Sequence, residues 1–210
     1  MRRAYAGLFA LVGWFAVVGQ YIVGHGHDLA ATVDYFSYFT ILSNILVALT
    51  LTVAAVAPSS GLGRALLAPP MALATVVYIT VTGATFYFIL AKLYHLEGCT
   101  KHLDHLLHYV MPPAFVVFWL VFVPKGRLHL RNVAWMLAAP LVYAAYTLVH
   151  GPFSGFYPYP FVDVPQIGYV HVFANIGKFI VLFTLVGCVY VLIDRVIGHF
   201  TRTTPILPRT

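Results

Sequence analysis

Charge is scarce in this sequence. Only 9% of its 210 residues are Asp, Glu, Lys or Arg, against about a quarter in an ordinary soluble domain. Glu97 is the sole glutamate. A water-soluble fold of this size could not hide a chain that is 61% hydrophobic, because its surface-to-volume ratio is too high. A bilayer removes the difficulty by acting as the apolar solvent. Cysteine is scarce too. Cys99 falls where a loop is expected and Cys188 within an apolar run, so no disulfide framework is implied. Also missing are the Gly-x-Ser-x-Gly elbow, the P-loop, the Gly-x-Gly-x-x-Gly fingerprint and His-Glu-x-x-His. No cofactor is therefore expected.

What is present is six apolar runs, roughly Tyr5–Gly24, Tyr35–Ala57, Pro69–Lys92, Asp104–Val123, Asn132–His150 and Tyr169–Ile193. Each approaches or exceeds the roughly 20 residues that a hydrocarbon core of about 30 Å demands. A lipid-embedded backbone must satisfy its own polar groups, and the period-2 alternation of a barrel is absent, so the runs predict helices. The expected fold is all-α, a single six-helix transmembrane bundle over residues 1–200. The segment 201–210, with Pro205 and Pro208, reads as a disordered tail. Met1-Arg2-Arg3 and the run behind it read as a retained first helix, since that run is longer than the apolar core of a signal peptide.

Basic residues set the orientation. With the N-terminus cytoplasmic, Arg2, Arg3, Arg64, Lys125, Arg127, Arg131, Arg195, Arg202 and Arg209 lie inside. Only Lys92 and Lys101 lie outside, with Lys178 left within a span. This positive-inside bias puts both termini in the cytoplasm. It also accounts for the net charge of +6 without nucleic acid as a partner. Asp28, Asp34, Glu97, Asp104 and Asp163 sort to the outer side, leaving Asp194 inside. Histidine is equally lopsided. His25, His27, His95, His102, His105, His108, His150 and His171 are outer, and His129 and His199 inner. A wet rim explains some of them; eight on one face point to a polar site opening outward.

Polar side chains at membrane depth are costly and each calls for a reason. In the second run Ser37, Thr40 and Asn44, at i, i+3 and i+7, share a helical face. Thr40 would lie roughly 8 Å below the outer boundary at about 1.5 Å per residue. Hydrogen bonding between helices is the plain reading of such a face. In the fourth, Asp104 and His108 are i, i+4 neighbours able to pair, an arrangement that orients a basic imidazole. His102, His105 and His108 have a spacing that could also serve a metal. They fan over roughly 120° of a helix, so no more than two would bind one ion comfortably. In the sixth, His171, Asn175 and Lys178 share a face. Lys178 there either snorkels or binds a carboxylate or carbonyl ligand. The loop from His150 to Asp163 carries three prolines and five aromatics, among them Tyr157 and Tyr159. It reads as an interfacial anchor, a lid over the outer mouth, or both.

Three pieces carry a family resemblance: Tyr38-Phe39-Thr40 with Ser43-Asn44; Asp104-His105-Leu106-Leu107-His108 leading to Pro112-Pro113; and Tyr157-Pro158-Tyr159-Pro160-Phe161-Val162-Asp163. In these the chain resembles the androgen-induced protein family, which includes the androgen-dependent regulator of tissue factor pathway inhibitor and has bacterial six-helix relatives. The likeness runs in order through the second to sixth helices, and the aromatic–proline loop is its most specific part. It implies hydrolysis of fatty acid esters of hydroxy fatty acids by a membrane-embedded Thr and His, here Thr40 as nucleophile and His108 as base, and a bacterial inner-membrane location. The family pattern has Asn at Asp104 and no Lys at Lys178. Asp104 as orienting group comes from spacing alone.

The leading expectation is thus a threonine-type hydrolase of lipid esters, without a metal. Ser37, Asn44 and His105 would support Thr40 and His108. Lys178, Asn175, His171, His150, Tyr157 and Tyr159 are candidates for holding the ligand. Its partners are the acyl ester and membrane lipids. Two alternatives stand beside it: a metal-dependent hydrolase using His102, His105 or His108, and a non-enzymatic lipid-binding or transport protein.

Overall fold

A computed structural model describes residues 1–24, 28–93 and 97–203, with side chains to residue 200. His25, His27, His95 and residues 204–210 of the expected tail lie outside the described residues. Among the described residues there are helices and no strand. Six helices are long and apolar enough to cross a membrane: Arg2–Gly24, Phe39–Val56, Pro69–Leu90, Gly98–Phe122, Leu130–Ser154 and Val164–Phe200. They are called spans 1 to 6.

Spans 1 to 4 enclose the tightest core, where Val47, Leu51, Ile79, Met111, Phe115 and Trp119 are fully buried. Glycine lets the helices close. A Cβ at Gly13 would stand 2.8 Å from the Met111 methyl, and one at Gly83 would stand 3.0 Å from Pro112. Spans 5 and 6 add one face each to this core, through Val133 and Met136 and through Phe183, Tyr190 and Val191. Leu141, Val142, Val149, Val170, Val181 and Leu185 on them are exposed, an apolar outer surface suited to lipid tails.

Several boundaries differ from expectation, and the first of them bears directly on the site. Span 2 starts at Phe39, not Tyr35. Ahead of it runs a separate short helix, Leu29–Phe36, capped by the Asp28 carboxylate on the Ala31 N–H. The break at Ser37–Tyr38 is held from span 5: the Tyr143 hydroxyl donates to the Ser37 carbonyl at 2.9 Å, and the Tyr146 hydroxyl lies 2.6 Å from Ser37 Oγ. The expected face of Ser37, Thr40 and Asn44 is therefore split, and Thr40 sits in the first turn of span 2 rather than several residues below the boundary. Span 4 starts at Gly98, which puts Cys99 on an exposed helical turn instead of in a loop. Gly168, at φ 76°, breaks the start of span 6, a conformation that glycine reaches without steric cost. The last helix then runs on to Thr203, three residues into the segment expected to be tail.

At the basic end of the bundle, Asp194 is 1% exposed and accepts the N–H groups of Arg127 and Leu128, both at 2.9 Å. It docks the loop between spans 4 and 5. The Lys125 amine in that loop donates to the carbonyls of Trp119 and Val123, closing the end of span 4. Burial pushes this amine down to about 8, with Asp194 pulling the other way.

Candidate active site

The opposite end of the bundle gathers Thr40 from span 2, Asp104 and His108 from span 4, Phe86 from span 3 and Tyr159 from the loop between spans 5 and 6. Thr40 and His108 are each 7% exposed and Asp104 8%. Thr40 Oγ1 lies 3.4 Å from His108 Nε2. That is just beyond the roughly 2.6–3.2 Å of a formed catalytic hydrogen bond. Behind the imidazole, Nδ1 lies 3.1 Å from Asp104 Oδ1 and 3.0 Å from the Asp104 carbonyl oxygen. Both neighbours of Nδ1 are acceptors, so Nδ1 donates, and in the neutral imidazole Nε2 is the nitrogen whose lone pair faces Thr40.

Backbone irregularity aims the histidine. Span 4 is α-helical to His105, makes a π turn over Leu106–Val110 and resumes at Met111. Pro112 and Pro113 have no N–H to return to the carbonyls four residues earlier, His108 and Tyr109. The Met111 N–H bonds instead to Leu106 O, in the wider pattern. Span 3 has a second π turn, Phe86–Leu90. Phe86 lies face to face with His108, with ring centroids 3.8 Å apart and planes 16° from parallel. The imidazole is thus held by a ring on one face and by Asp104 at one edge.

Asn44 ties the two spans together. It is fully buried, and its amide donates to the Thr40 carbonyl at 2.9 Å and the Leu107 carbonyl at 3.3 Å. Ser43 Oγ donates to the same Thr40 carbonyl at 3.1 Å and meets Thr82 on span 3. Thr40 therefore has its backbone fixed from two neighbouring spans, which leaves its hydroxyl as the free variable.

Tyr159 closes the group from above. Its hydroxyl lies 3.0 Å from the Thr40 N–H and 3.1 Å from Thr40 Oγ1. The ring is set edge-on to Tyr38 and stacked on Phe161. Two cavities meet at Thr40 and Tyr159. One, of about 90 Å³, has a wall dominated by Phe39, Leu90, Ala144, Phe161, Phe179 and Phe183. The other, of about 150 Å³, is bordered by Gln20, Tyr35, Tyr38, Asp104 and His108. A reacting bond at Thr40 would so have grease on one side and polar groups on the other.

The remaining expected residues stand elsewhere. His102 and His105 are exposed, on other faces of the helix from His108. Among the described residues no group of three His, Cys, Asp or Glu side chains is placed to hold an ion. Ser37 serves the helix break, as above. On span 6, Val172, Ile176, Phe179 and Phe183 face inward, which turns His171 and Lys178 to the exposed side. Lys178 donates to Asn175, and Asn175 to the Phe161 carbonyl of the loop. His150 stacks on Tyr146, and Tyr157 packs over Gly151. Of the six expected ligand-holding residues, only Tyr159 borders the cavities. Sequence reasoning passed over Phe86, Gln20, Thr82 and Thr85. Gln20 is the sole amide in span 1, and Thr82 and Thr85 are an i, i+3 pair on span 3, both readable signals; Phe86 looks like any core aromatic.

The chain matches no protein-family model, no curated protein and no solved structure.

Proposed function

We propose that this chain is a membrane-embedded hydrolase of lipid esters, with Thr40 as nucleophile, His108 as general base and Asp104 as its orienting partner. The observation that carries the reading is the line Thr40 Oγ1, His108 Nε2, His108 Nδ1, Asp104, placed where an apolar and a polar-lined cavity meet. Nucleophile, base and orienting group in series are the signature of covalent acyl transfer. The resemblance to the androgen-induced protein family points to the same two side chains and to fatty acid esters of hydroxy fatty acids as the substrate class. In this reading the basic end of the bundle faces the cytoplasm of a bacterial cell and the site opens on the outer leaflet.

The steps balance as follows. Thr40 Oγ1 attacks the ester carbonyl carbon while its proton passes to His108 Nε2, and the carbonyl π pair moves onto oxygen. That pair returns, the bond to the alcohol oxygen breaks, and His108 hands its proton to the leaving alkoxide. Water then attacks the acyl-threonine, His108 takes its proton, and collapse releases the fatty acid and returns the proton to Thr40. The net reaction is ester plus water to acid plus alcohol. The acyl chain lies in the cavity walled by Phe161, Phe179 and Phe183, and the alcohol portion in the chamber beside Gln20. Asp104 stabilises the imidazolium that forms in each half.

The test is turnover of a palmitoyl ester of hydroxystearic acid by protein purified in detergent. Thr40→Ala and His108→Ala should each remove activity to background with the thermal unfolding midpoint preserved, and Thr40→Ser should retain part of it. Full turnover by either alanine variant would defeat the proposal.

A further inference from the structure

The aromatic–proline loop contributes more to the site than a cover. Tyr159 is 7% exposed and borders both cavities. The direction of its hydrogen bonds follows from its neighbours. The Thr40 amide can only donate, so the phenol oxygen accepts from it at 3.0 Å. His108 Nδ1 carries the ring proton, so the Thr40 hydroxyl donates to Nε2. Thr40 Oγ1 is then left to accept, and the Tyr159 O–H at 3.1 Å is the donor. Thr40 also lies in the first turn of its helix, where N–H groups have no partner within the helix.

Resting on the hydrolase reading above, we propose that Tyr159 is a third catalytic residue. Its phenolic O–H and the Thr40 N–H together form the donor pair that holds the oxyanion of the tetrahedral intermediate. The phenol oxygen accepts the Thr40 N–H and its O–H reaches Oγ1, so both donors converge beside the nucleophile. When the ester enters, its carbonyl oxygen shares the Thr40 N–H with the phenol oxygen, and the phenol O–H rotates about its C–O bond from Oγ1 to the same atom, one carbon away from Oγ1 in the adduct. The carbonyl π pair collects on this oxygen while Tyr159 keeps its proton and only shares it. The pair returns to carbon when the intermediate collapses. Donors aimed at developing charge in a water-poor site are commonly the largest single contribution to such a reaction. Tyr38 edge-on and Phe161 stacked hold the ring so that little reorganisation is needed.

Tyr159→Phe tests this, measured beside Thr40→Ala in the same detergent. The expected result is a fall in kcat of about 10²–10³-fold, as for loss of one such donor, with KM little changed. Affinity for a trifluoromethyl ketone analogue, which forms the tetrahedral adduct, should fall by the same factor as kcat/KM, while affinity for free palmitate stays put. A tyrosine that only anchors the loop would move KM and palmitate affinity and spare kcat. That outcome, or wild-type kcat in Y159F, overturns the assignment while a silent Thr40→Ala leaves the hydrolase reading standing. Activity in Thr40→Ala removes both. Should Y159F fail to fold, 3,5-difluorotyrosine at position 159 decides. The rate must then fall along the titration of the more acidic phenol as ionisation removes the donor, and a flat rate across it rejects the proposal.

Discussion

His108 Nδ1 faces two acceptors of one residue, the Asp104 carboxylate at 3.1 Å and the Asp104 main-chain oxygen at 3.0 Å. The carbonyl alone is enough to keep the proton on Nδ1 and leave Nε2 free as base. The carboxylate adds charge to balance the imidazolium. The two effects can be separated by Asp104→Asn, whose amide can turn its own oxygen to Nδ1. Loss of the charge should lower kcat about tenfold, the worth of a charge-assisted bond over a neutral one. It should not produce the roughly 10⁴-fold collapse that follows when the base is held in the wrong tautomer. A collapse of that size would mean that the carbonyl does not hold the tautomer.

Pro112 is the second lever on His108. Without its N–H, the His108 carbonyl has no partner one α-turn ahead, and the wider Met111-to-Leu106 bond takes over. Pro112→Ala restores a donor and lets the segment return to α-helical register. Dropping the extra residue of a π turn rotates the preceding helix by roughly 100° relative to the following one. His108 would leave Thr40 and Phe86. The expected result is a loss of activity of about 10–100-fold with the unfolding midpoint held within about 5 °C. A variant with wild-type turnover would show that the bulge does not aim the base.

The spans themselves were legible because bilayer thickness turns directly into run length, and the Asp104–His108 pair because i, i+4 spacing survives as adjacency. The π turns were not. Pro112-Pro113 is visible in the sequence, yet whether a proline pair kinks, ends or widens a helix depends on what packs beside it, here Gly83 with room for Pro112 and the His108 carbonyl. The break at Ser37–Tyr38 carries no glycine or proline. It is imposed from 106 and 109 residues away by Tyr143 and Tyr146, so no local pattern announces it. Lys178, open in the sequence between snorkelling and ligand binding, lies on the exposed side; polar residues on one stripe do not say which way the stripe faces. The apolar stripe one position on wins the interior: Phe183 packs on Phe39 and Tyr78, Phe179 on Phe161, and Val172 and Ile176 join the cluster that holds Phe39 and Tyr143.

At the basic end, Lys125 gives stability a pH dependence of definite sign. Burial lowers its folded pKa to about 8 from an ordinary 10.5. Between those values the unfolded chain binds the proton and the folded one has released it, so stability must rise as pH climbs from about 8 toward 10.5. Below about 8 both states carry the charge, and the cost of burying it is present in full. Lys125→Gln removes the titrating group. Its unfolding midpoint should be flatter across this window than that of the wild type, measured in a nonionic detergent. A wild-type midpoint that falls relative to Lys125→Gln as pH rises would mean that the buried amine keeps its proton.

The cavity walled by Phe161, Phe179 and Phe183 also has a face from span 5, where Ala144 is the smallest side chain in contact with it. If an acyl chain occupies this space, a larger residue at 144 shortens what fits while leaving the Thr40–His108 pair untouched. Ala144→Phe should cut kcat/KM for palmitoyl esters by at least about tenfold, since even one methylene refused by an apolar pocket costs about 1–3 kcal/mol. Butyryl esters, too short to reach the new ring, should be hydrolysed as by the wild type and so report on the chemistry within the same sample. Equal losses for both substrates would point to damage at the reacting groups. No loss for either would place the acyl chain in the other chamber, beside Gln20, and reverse the assignment of the two sides of the ester.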